Sequence, residues 1–218
     1  MGCIRKNDGN KSGAMGIGAM IIFIAIVLVA GIAASILVQT GTQLEMQTLQ
    51  TGQDTITKTS AGLTVFGVEG YNESGKITKL AIEIMPKPGS PDIDLQTTLI
   101  EITEGTEKHI LDFGGTNQHI NSSDVNGNIL TNGKFGDSTS FGITILQDKD
   151  KSCTANNPII GFGDHVILGI DTTAIFSTNS GLSPRTEVNG MIIIEEGASG
   201  IIGFTTPPSY VNDIIELQ

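Results

Sequence analysis

The feature that most constrains this chain is an uninterrupted apolar run near its beginning, from Ala14 to Ala34. The run is 21 residues long and contains no polar side chain, and no charged residue follows it until Glu45. A helix rises about 1.5 Å per residue, so a helix of this length crosses the roughly 30 Å hydrocarbon core of a bilayer. The run therefore predicts a helix of membrane-spanning length.

A short basic leader, Met1–Gly13, precedes the apolar run and carries a net charge of +2. Positive charge ahead of a span predicts that Met1 faces the cytoplasm and that the remainder faces outward. A secretory signal has an apolar stretch of about 7–15 residues before an A-x-A-like cleavage site, and this run is longer. Ala30, Ala33 and Ala34 do supply small residues, so spacing alone leaves two cleavage positions open: behind the run, or between the leader and the run.

Small residues cluster in the second half of the run: Ala30, Gly31, Ala33, Ala34 and Ser35. Small side chains let helix backbones approach closely, which favours helix–helix association in an apolar setting. Such a patch fits the core of a helical polymer, and it also fits an ordinary membrane anchor. The residues alone leave both interpretations open.

The next segment, Gln39–Ser60, predicts a continuation of the helix because it contains no proline. Gly41 and Gly52 each weaken a helix by about 1 kcal/mol relative to Ala, and a disordered stalk is the alternative. From Gly62 onward the apolar residues alternate with period two, which predicts strands. We therefore expect a leader over residues 1–13, a helix over 14–61 and an outer β domain over 62–218.

Four short segments with this alternation indicate strands: Leu80–Ile84, Ile100–Ile102, Phe141–Ile145 and Val166–Ile170. A short continuous apolar run, Met191–Ile194, indicates a fifth. Turn signals separate them, at Pro86–Gly89, Asn126-Gly127, Asn132-Gly133 and Asn189-Gly190. Short strands with frequent turns and no helix between them predict an antiparallel β-sandwich. The expected fold class is therefore α+β.

The chain is acidic, with a formal net charge of −11, and the part after Gly13 would carry −13 once the +2 leader is removed. Nucleic-acid binding depends on Lys and Arg, so no nucleic-acid partner is expected. Loss of Cys3 with the leader would leave Cys153 as the single thiol. The outer domain must then be stabilised by packing without an intramolecular disulfide.

No catalytic motif accompanies the three histidines, His109, His119 and His165. The sequence contains neither an HExxH pattern nor a GxSxG nucleophile elbow, so we expect no enzyme and no cofactor. Asp148, Asp150 and Ser152 alternate as in the first half of a calcium loop, but the central Gly and the closing Glu are missing. A solvated charged turn is the favoured interpretation, and no metal site is assigned.

Two N-glycosylation sequons, at Asn72 and Asn121, fall in predicted surface loops of an exported domain. A third, at Asn10, lies in the leader and should not be exported. Asn72 and Asn121 are therefore the candidate modification sites, and both are expected to face solvent.

The boundary between leader and run, Lys11-Ser12-Gly13 followed by Ala-Met-Gly-Ile-Gly, resembles the class III signal of type IV pilins and archaeal flagellins (archaellins). Further motifs resemble archaellins: Gln147–Cys153, Asn157-Pro158, Gly163-Asp164, Ser183–Val188 and the ending FTTPPSY…IIELQ. Gly18, the fifth residue after the boundary, also matches archaellins, whereas bacterial pilins carry Glu there. Ser12 departs from the pattern, since many members have a second basic residue at this position.

The resemblance implies cleavage between Gly13 and Ala14 by a prepilin-type signal peptidase, and an immunoglobulin-like outer domain. It also implies a function: a structural subunit that polymerises with copies of itself and similar archaellins into the extracellular archaeal flagellar filament, for swimming and surface attachment. Before assembly the precursor would be anchored in the membrane. The alternatives are an adhesive type IV-like pilin and a surface protein anchored by the uncut helix.

Overall fold

A computed structural model describes residues 9–105, 107–176 and 180–218. Most of the predicted leader, including Cys3, lies outside these residues. The chain divides into two compact units, Met1–Asp54 and Thr55–Gln218.

A single long helix, α1, begins at Gly9 and ends at Ser60, and it has 52 residues. The helix includes the whole apolar run and continues through residues 39–60, which confirms the predicted continuation rather than a disordered stalk. The threonines of this second half bond to the helix itself. The Thr48 hydroxyl donates to the Leu44 carbonyl at 2.8 Å, and the Thr59 hydroxyl donates to the Thr55 carbonyl at 2.7 Å. Because these hydroxyls are satisfied locally, a threonine-rich segment can remain helical.

The second part of the chain is rich in β-structure. Its strands are β1 Leu63–Glu73, β2 Lys76–Pro86, β3 Ile93–Asp94, β4 Leu99–Glu104, β5 Glu107–Phe113, β6 His119–Asn121, β7 Ser140–Gln147, β8 Cys153–Thr154, β9 Asn157–Ile160, β10 His165–Asp171, β11 Glu187–Ile193, β12 Gly200–Thr205 and β13 Ile214–Glu216. Two four-residue helices lie between strands, α2 Ile129–Asn132 and α3 Thr172–Ile175. The chain is therefore α+β, as predicted.

Ten of the strands form one sheet in the order β12-β11-β4-β5-β7-β10-β2-β1-β13, with β6 paired to β7. A smaller sheet has the order β3-β9-β8. The large sheet curls, because Gly62 bridges Ala198 and the Leu63 N–H donates to the Ala198 carbonyl at 3.1 Å. Strands β5 and β6 both pair with β7 in parallel. The sheet is thus mixed, which corrects the expectation of purely antiparallel pairing.

The predicted alternation places one face of each main strand in a single core. Ile82 and Ile84 of β2 lie opposite Leu168 and Val166 of β10 in the register, and all four are fully buried. Phe141 of β7 is also fully buried. Burying a side chain of this size contributes about 1.5–3 kcal/mol, so these pairs supply the packing that a domain without disulfides needs.

One predicted turn is wrong, because Asn189 and Gly190 lie inside β11 instead of between strands. A Cβ at Gly190 would come within 2.6 Å of the Glu101 carbonyl oxygen on β4. Glycine is thus used here for close approach of two backbones and not for a reversal of the chain. The turn between β1 and β2 is made by Ser74 and Gly75, whose φ angles are both positive at 57° and 84°.

Candidate assembly helix and surface sites

The apolar part of α1 has no covering layer within its unit. Within Met15–Ser60 an 18-residue window reaches a mean hydropathy of 3.1, and none of it is buried. Phe23, Leu28 and Leu37 expose 69%, 61% and 71% of their surface. Among the described residues this is the one helix long and apolar enough to span a membrane. A helix that is apolar all round is stable only in lipid or packed among other helices.

One face of α1 has the form of a packing seam. Ile22, Ala25, Ile26, Val29 and Ala30 line an open apolar concavity of about 430 Å³. Their spacing of three and four residues places them on one side of the helix. Small Ala side chains between larger β-branched ones leave holes that can receive side chains of a facing helix.

Neither close packing nor backbone geometry within the described residues explains why Gly18 and Gly31 of α1 are glycines. A Cβ added at Gly18 or Gly31 would find no neighbour within 4 Å among the described residues. Neither position needs a left-handed backbone, since both are helical. Glycine costs about 1 kcal/mol relative to Ala inside a helix, and no contact among the described residues offsets that cost at either position.

The predicted cleavage position lies in the first turns of α1. Gly13 is exposed, and a Cβ built on it would have no neighbour within 4 Å. Ala14 is helical as well. Cleavage between Gly13 and Ala14 stays a prediction, and residues 1–8 of the leader lie outside the described part of the chain.

The two sequon asparagines differ in their surroundings. Asn72 lies in β1 and is half-buried; its side-chain amide donates to the Asn212 carbonyl at 3.2 Å and accepts from the Gly75 N–H at 3.2 Å. Asn121 ends β6, is exposed, and makes no side-chain hydrogen bond to any described residue. A cleft of about 600 Å³ opens beside Asn121, with Ser123 and Lys151 in its lining.

Three carboxylates meet in the loops around β8 and β9. Asp148, Asp150 and Asp164 have oxygens within 4.8 Å of one another, and within the described residues they are the single group of three such side chains. The sequence pattern found the first two but not Asp164, whose position beside them depends on tertiary folding. Ser152 lies beside them: its N–H donates to Asp150 at 3.0 Å, and its hydroxyl donates to the Ile159 carbonyl at 2.9 Å.

The carboxylates already accept hydrogen bonds from the backbone of their own loops. Asp164, 1% exposed, accepts from the Lys149 and Gly161 N–H groups, each at 2.8 Å. Asp148 accepts from the N–H groups of Lys151 and Cys153 at 2.6 and 3.2 Å. Oxygens with free lone pairs suit a hard cation such as Ca²⁺, but the backbone donors account for the arrangement without one.

We expect Asp164→Ala to destabilise the outer domain strongly. The change removes the acceptor of the buried Gly161 N–H and of the partly buried Lys149 N–H, and an unsatisfied buried group costs about 1–3 kcal/mol. That loss corresponds to a fall of roughly 5–15 °C in the melting temperature, measurable by calorimetry of purified filaments. Asp150→Ala is the matched control, because Asp150 is exposed and should change the melting temperature little. Equal melting of wild type and Asp164→Ala would contradict this structural role.

Cys153 is a buried thiol with no nucleophilic function. It is 4% exposed, and its Sγ lies 3.8 Å from Nε2 of His119. Burial, with the charges of Asp148 and Asp164, raises the pKa of Cys153 to about 12. Burial also lowers the pKa of His119. A protonated thiol beside a neutral imidazole is not an activated pair.

The other two histidines have separate partners. The ring of His109 stands edge-on to Phe176 at 5.4 Å between centroids. His165 lies with Nδ1 3.3 Å from Glu83 Oε1 and packs against Phe66. The histidines therefore lie in different contacts, and they do not combine into a catalytic set.

An archaeal-type flagellin family model matches residues 13–204. Flagellin B2 of Methanocaldococcus jannaschii is 40% identical over 214 residues, which cover 95% of this chain and 96% of the relative. Flagellin B1 of the same organism is 38% identical over 212 residues, covering 95% and 96%.

Solved structures show the same relationship. A crystal structure of archaeal flagellin FlaB1 from Methanocaldococcus jannaschii has a TM-score of 0.64 and 33% identity, covering 72% of this chain and 97% of that one. The archaeal flagellum of Methanospirillum hungatei strain JF1 has a TM-score of 0.62 at 16% identity, over 92% and 98% of the two chains; at that identity the likeness concerns the fold alone. The chain belongs to the archaeal-type flagellins, the archaellins, and is a non-enzymatic filament subunit of the extracellular archaeal flagellum.

Proposed function

We propose that the chain is made as a membrane-anchored precursor, cut between Gly13 and Ala14, and then assembled through α1 into the core of the filament. The observation that carries this proposal is the uncovered apolar surface of α1, with its seam from Ile22 to Ala30. The chain is then organised as a leader over 1–13, an assembly segment over 14–61 and an outer domain over 62–218. Its partners are the membrane, a prepilin-type signal peptidase and other archaellin copies.

Removal of the leader has a direct electrostatic reason. The leader carries a net charge of +2, and an uncompensated charge is costly in an apolar interior. An uncut chain would have to draw those charges into a bundle of apolar helices. Cleavage leaves a helix that begins with the apolar run.

Transfer of α1 from lipid to a helix bundle gains little hydrophobic free energy, since lipid tails are about as apolar as leucine. Close packing at small residues, contacts between outer domains and work supplied by an assembly machine must drive the transfer. Outside the cell the balance changes, because dissociation would expose α1 to water. Each large side chain then contributes about 1.5–3 kcal/mol against dissociation, so the finished filament is stable.

The outer domain in this proposal is an immunoglobulin-like sandwich. The curl of the large sheet supports it, because strands β12, β11, β4 and β5 form one half and strands β7, β10, β2, β1 and β13 form the other. Side chains from both halves belong to one buried cluster, including Ile102 and Ile192 from the first half and Ile82 and Leu168 from the second. Two facing half-sheets over a shared core are the packing of a sandwich.

The mature subunit is expected to begin at Ala14. Filaments sheared from cells, gel-purified and analysed by Edman degradation or intact mass spectrometry should give this N-terminus. A subunit beginning beyond Ala30 would show secretory-type cleavage and contradict the proposal. An intact Met1 in the cell envelope, without filaments, would favour a monomeric anchored protein.

Glycosylation is expected at Asn121 with higher occupancy than at Asn72. Asn121 is exposed beside an open cleft, whereas the Asn72 amide is half-buried and already donates to a carbonyl. Peptide mass spectrometry of filaments should therefore find the glycan mainly on the Asn121 peptide. Ser123→Ala is the sequon-specific control, because it keeps Asn121 and should still abolish the modification. Full occupancy at Asn72 with none at Asn121 would refute the assignment.

A further inference from the structure

The outer face of strands β12, β11, β4 and β5 carries apolar side chains where a solvated sheet face would be polar. One row of register partners crosses the four strands in this order: Ile201 of β12, Met191 of β11, Glu101 of β4 and Ile110 of β5. Ile201, Met191 and Ile110 expose 71%, 41% and 59% of their surface. The alternate residues of these strands, such as Ile202, Ile192 and Leu111, fill the core, so the exposed residues face away from it.

A second pair extends this surface. Ile193 of β11 lies opposite Leu99 of β4, and these residues are 37% and 38% exposed. The five side chains Leu99, Ile110, Met191, Ile193 and Ile201 form what we call the lateral patch. Antiparallel sheets with one solvated face normally alternate apolar and polar residues, and a contiguous exposed apolar surface marks an interaction site.

The lateral patch itself carries no charge, and charged residues border it. Lys108 and Glu101 pair with each other at 2.7 Å, and the exposed Asp112 and Glu187 lie on the same faces of β5 and β11. Residues 55–218 carry nine basic and twenty acidic side chains, hence −11, which is the net charge of the whole chain. Two copies of such an acidic domain repel each other over most of their surface. The lateral patch is a place where they can approach without placing like charges opposite one another.

We propose that the lateral patch is the contact through which the outer domain of one subunit packs on the outer domain of a neighbouring subunit in the filament. The occupant is a second copy of this chain, because the chain is a filament subunit surrounded by its own copies and the five exposed side chains are apolar. A helical filament repeats a head-to-tail contact, so the patch of each copy meets a different surface of the next. This contact is separate from the helix contacts of α1 and adds to them.

Thiol labelling tests the proposal on intact filaments. Ile201→Cys introduces the one reactive thiol of the mature chain, since Cys153 is buried with a pKa of about 12. Maleimide should label position 201 at least about tenfold more slowly in filaments than in precursor that also carries Cys3→Ser and is extracted with mild detergent, because a packed interface excludes the reagent. Val211→Cys is the matched control, as Val211 is 88% exposed and outside the patch. It should react at similar rates in both states.

Charge substitution gives a second, independent readout. Ile201→Glu and Ile110→Glu each place a charge on an exposed position, so the subunit should still fold and be processed, yet filaments should be absent or break under mild shear. Val211→Glu should assemble as the wild type does. Unchanged filaments from both patch variants would overturn the proposal. Equal protection from maleimide at positions 201 and 211 would overturn it as well. The filament function is tested separately, by whether the wild-type chain forms filaments.

Discussion

A Gly13→Val chain is expected to accumulate in the membrane as an uncut precursor and to yield no filaments. Valine adds a β-branched side chain at the residue where the prepilin-type signal peptidase is expected to cut. Overpacking a tight protein contact costs about 1–3 kcal/mol, which corresponds to a cleavage rate about 5- to 150-fold lower. The uncut chain would keep its positive leader, which an apolar filament core excludes.

The structure separates this effect from damage to the subunit itself. A Cβ at Gly13 meets no described atom within 4 Å, and the residue lies in α1, where valine is accepted. Gly41→Val is the matched control, because Gly41 lies in the same helix and also has no neighbour within 4 Å. That control should be processed normally.

Immunoblots of membrane fractions measure the outcome, since the precursor is 13 residues longer than the expected mature chain. Gly13→Val should show the longer band in membranes and nothing in the sheared fraction. Normal processing of Gly13→Val would refute cleavage at this glycine. Equal blockage in Gly41→Val would show that the effect is not local to the cleavage position.

The elements that could be predicted from the sequence are those encoded by local periodicity. The run from Ala14 to Ala34 predicted the apolar helix because one stretch of chain suffices to define it. The alternation in Leu80–Ile84 and Val166–Ile170 predicted strands β2 and β10, because the core selects every second side chain.

Strand partners could not be predicted in the same way. Strand β7 pairs in parallel with β5 and β6. These pairings join segments that are distant in sequence, so they depend on the fold of the whole sheet. No local pattern marks a parallel pairing within a domain of mainly antiparallel strands. The Asn189-Gly190 signal failed for a related reason, since Gly190 is required by the neighbouring backbone of β4 and not by a turn.

Surface sites were predicted in part. The sequons located Asn72 and Asn121 but could not show that the Asn72 amide bonds to Asn212, which is 140 residues away in the chain. Asp164 was missed beside Asp148 for the same reason. Contacts between residues distant in sequence determine whether the asparagine of a sequon is free or already hydrogen-bonded. Such contacts arise only when the chain folds, so the sequons alone do not reveal them.

The small-residue patch of α1 gives the sharpest distinction between a polymer core and a simple membrane anchor. Gly31→Leu and Ala34→Leu should both leave membrane insertion and processing intact, because leucine is at least as apolar as the residues it replaces. We expect few filaments, and fragile ones. Overpacking a close helix contact costs about 1–3 kcal/mol per site, and the filament repeats that cost in every subunit.

The isolated helix cannot account for such a loss. A Cβ at Gly31 has no neighbour within 4 Å among the described residues, and leucine is a better helix former than glycine. The isolated subunit should therefore be unaffected or slightly stabilised by Gly31→Leu. Ile32→Leu is the matched control, because it conserves volume next to the patch and should give normal filaments.

Electron microscopy of filament length and the yield after graded shear measure the result. A polymer core predicts short or absent filaments for Gly31→Leu and Ala34→Leu, with the mature subunit retained in the membrane fraction. A lipid-facing anchor predicts no effect, since fluid acyl chains accommodate an added isobutyl group. Filaments of wild-type length and shear resistance in both variants would remove the packing role of this patch, because a close contact between helices cannot admit leucine at either position without moving the helices apart.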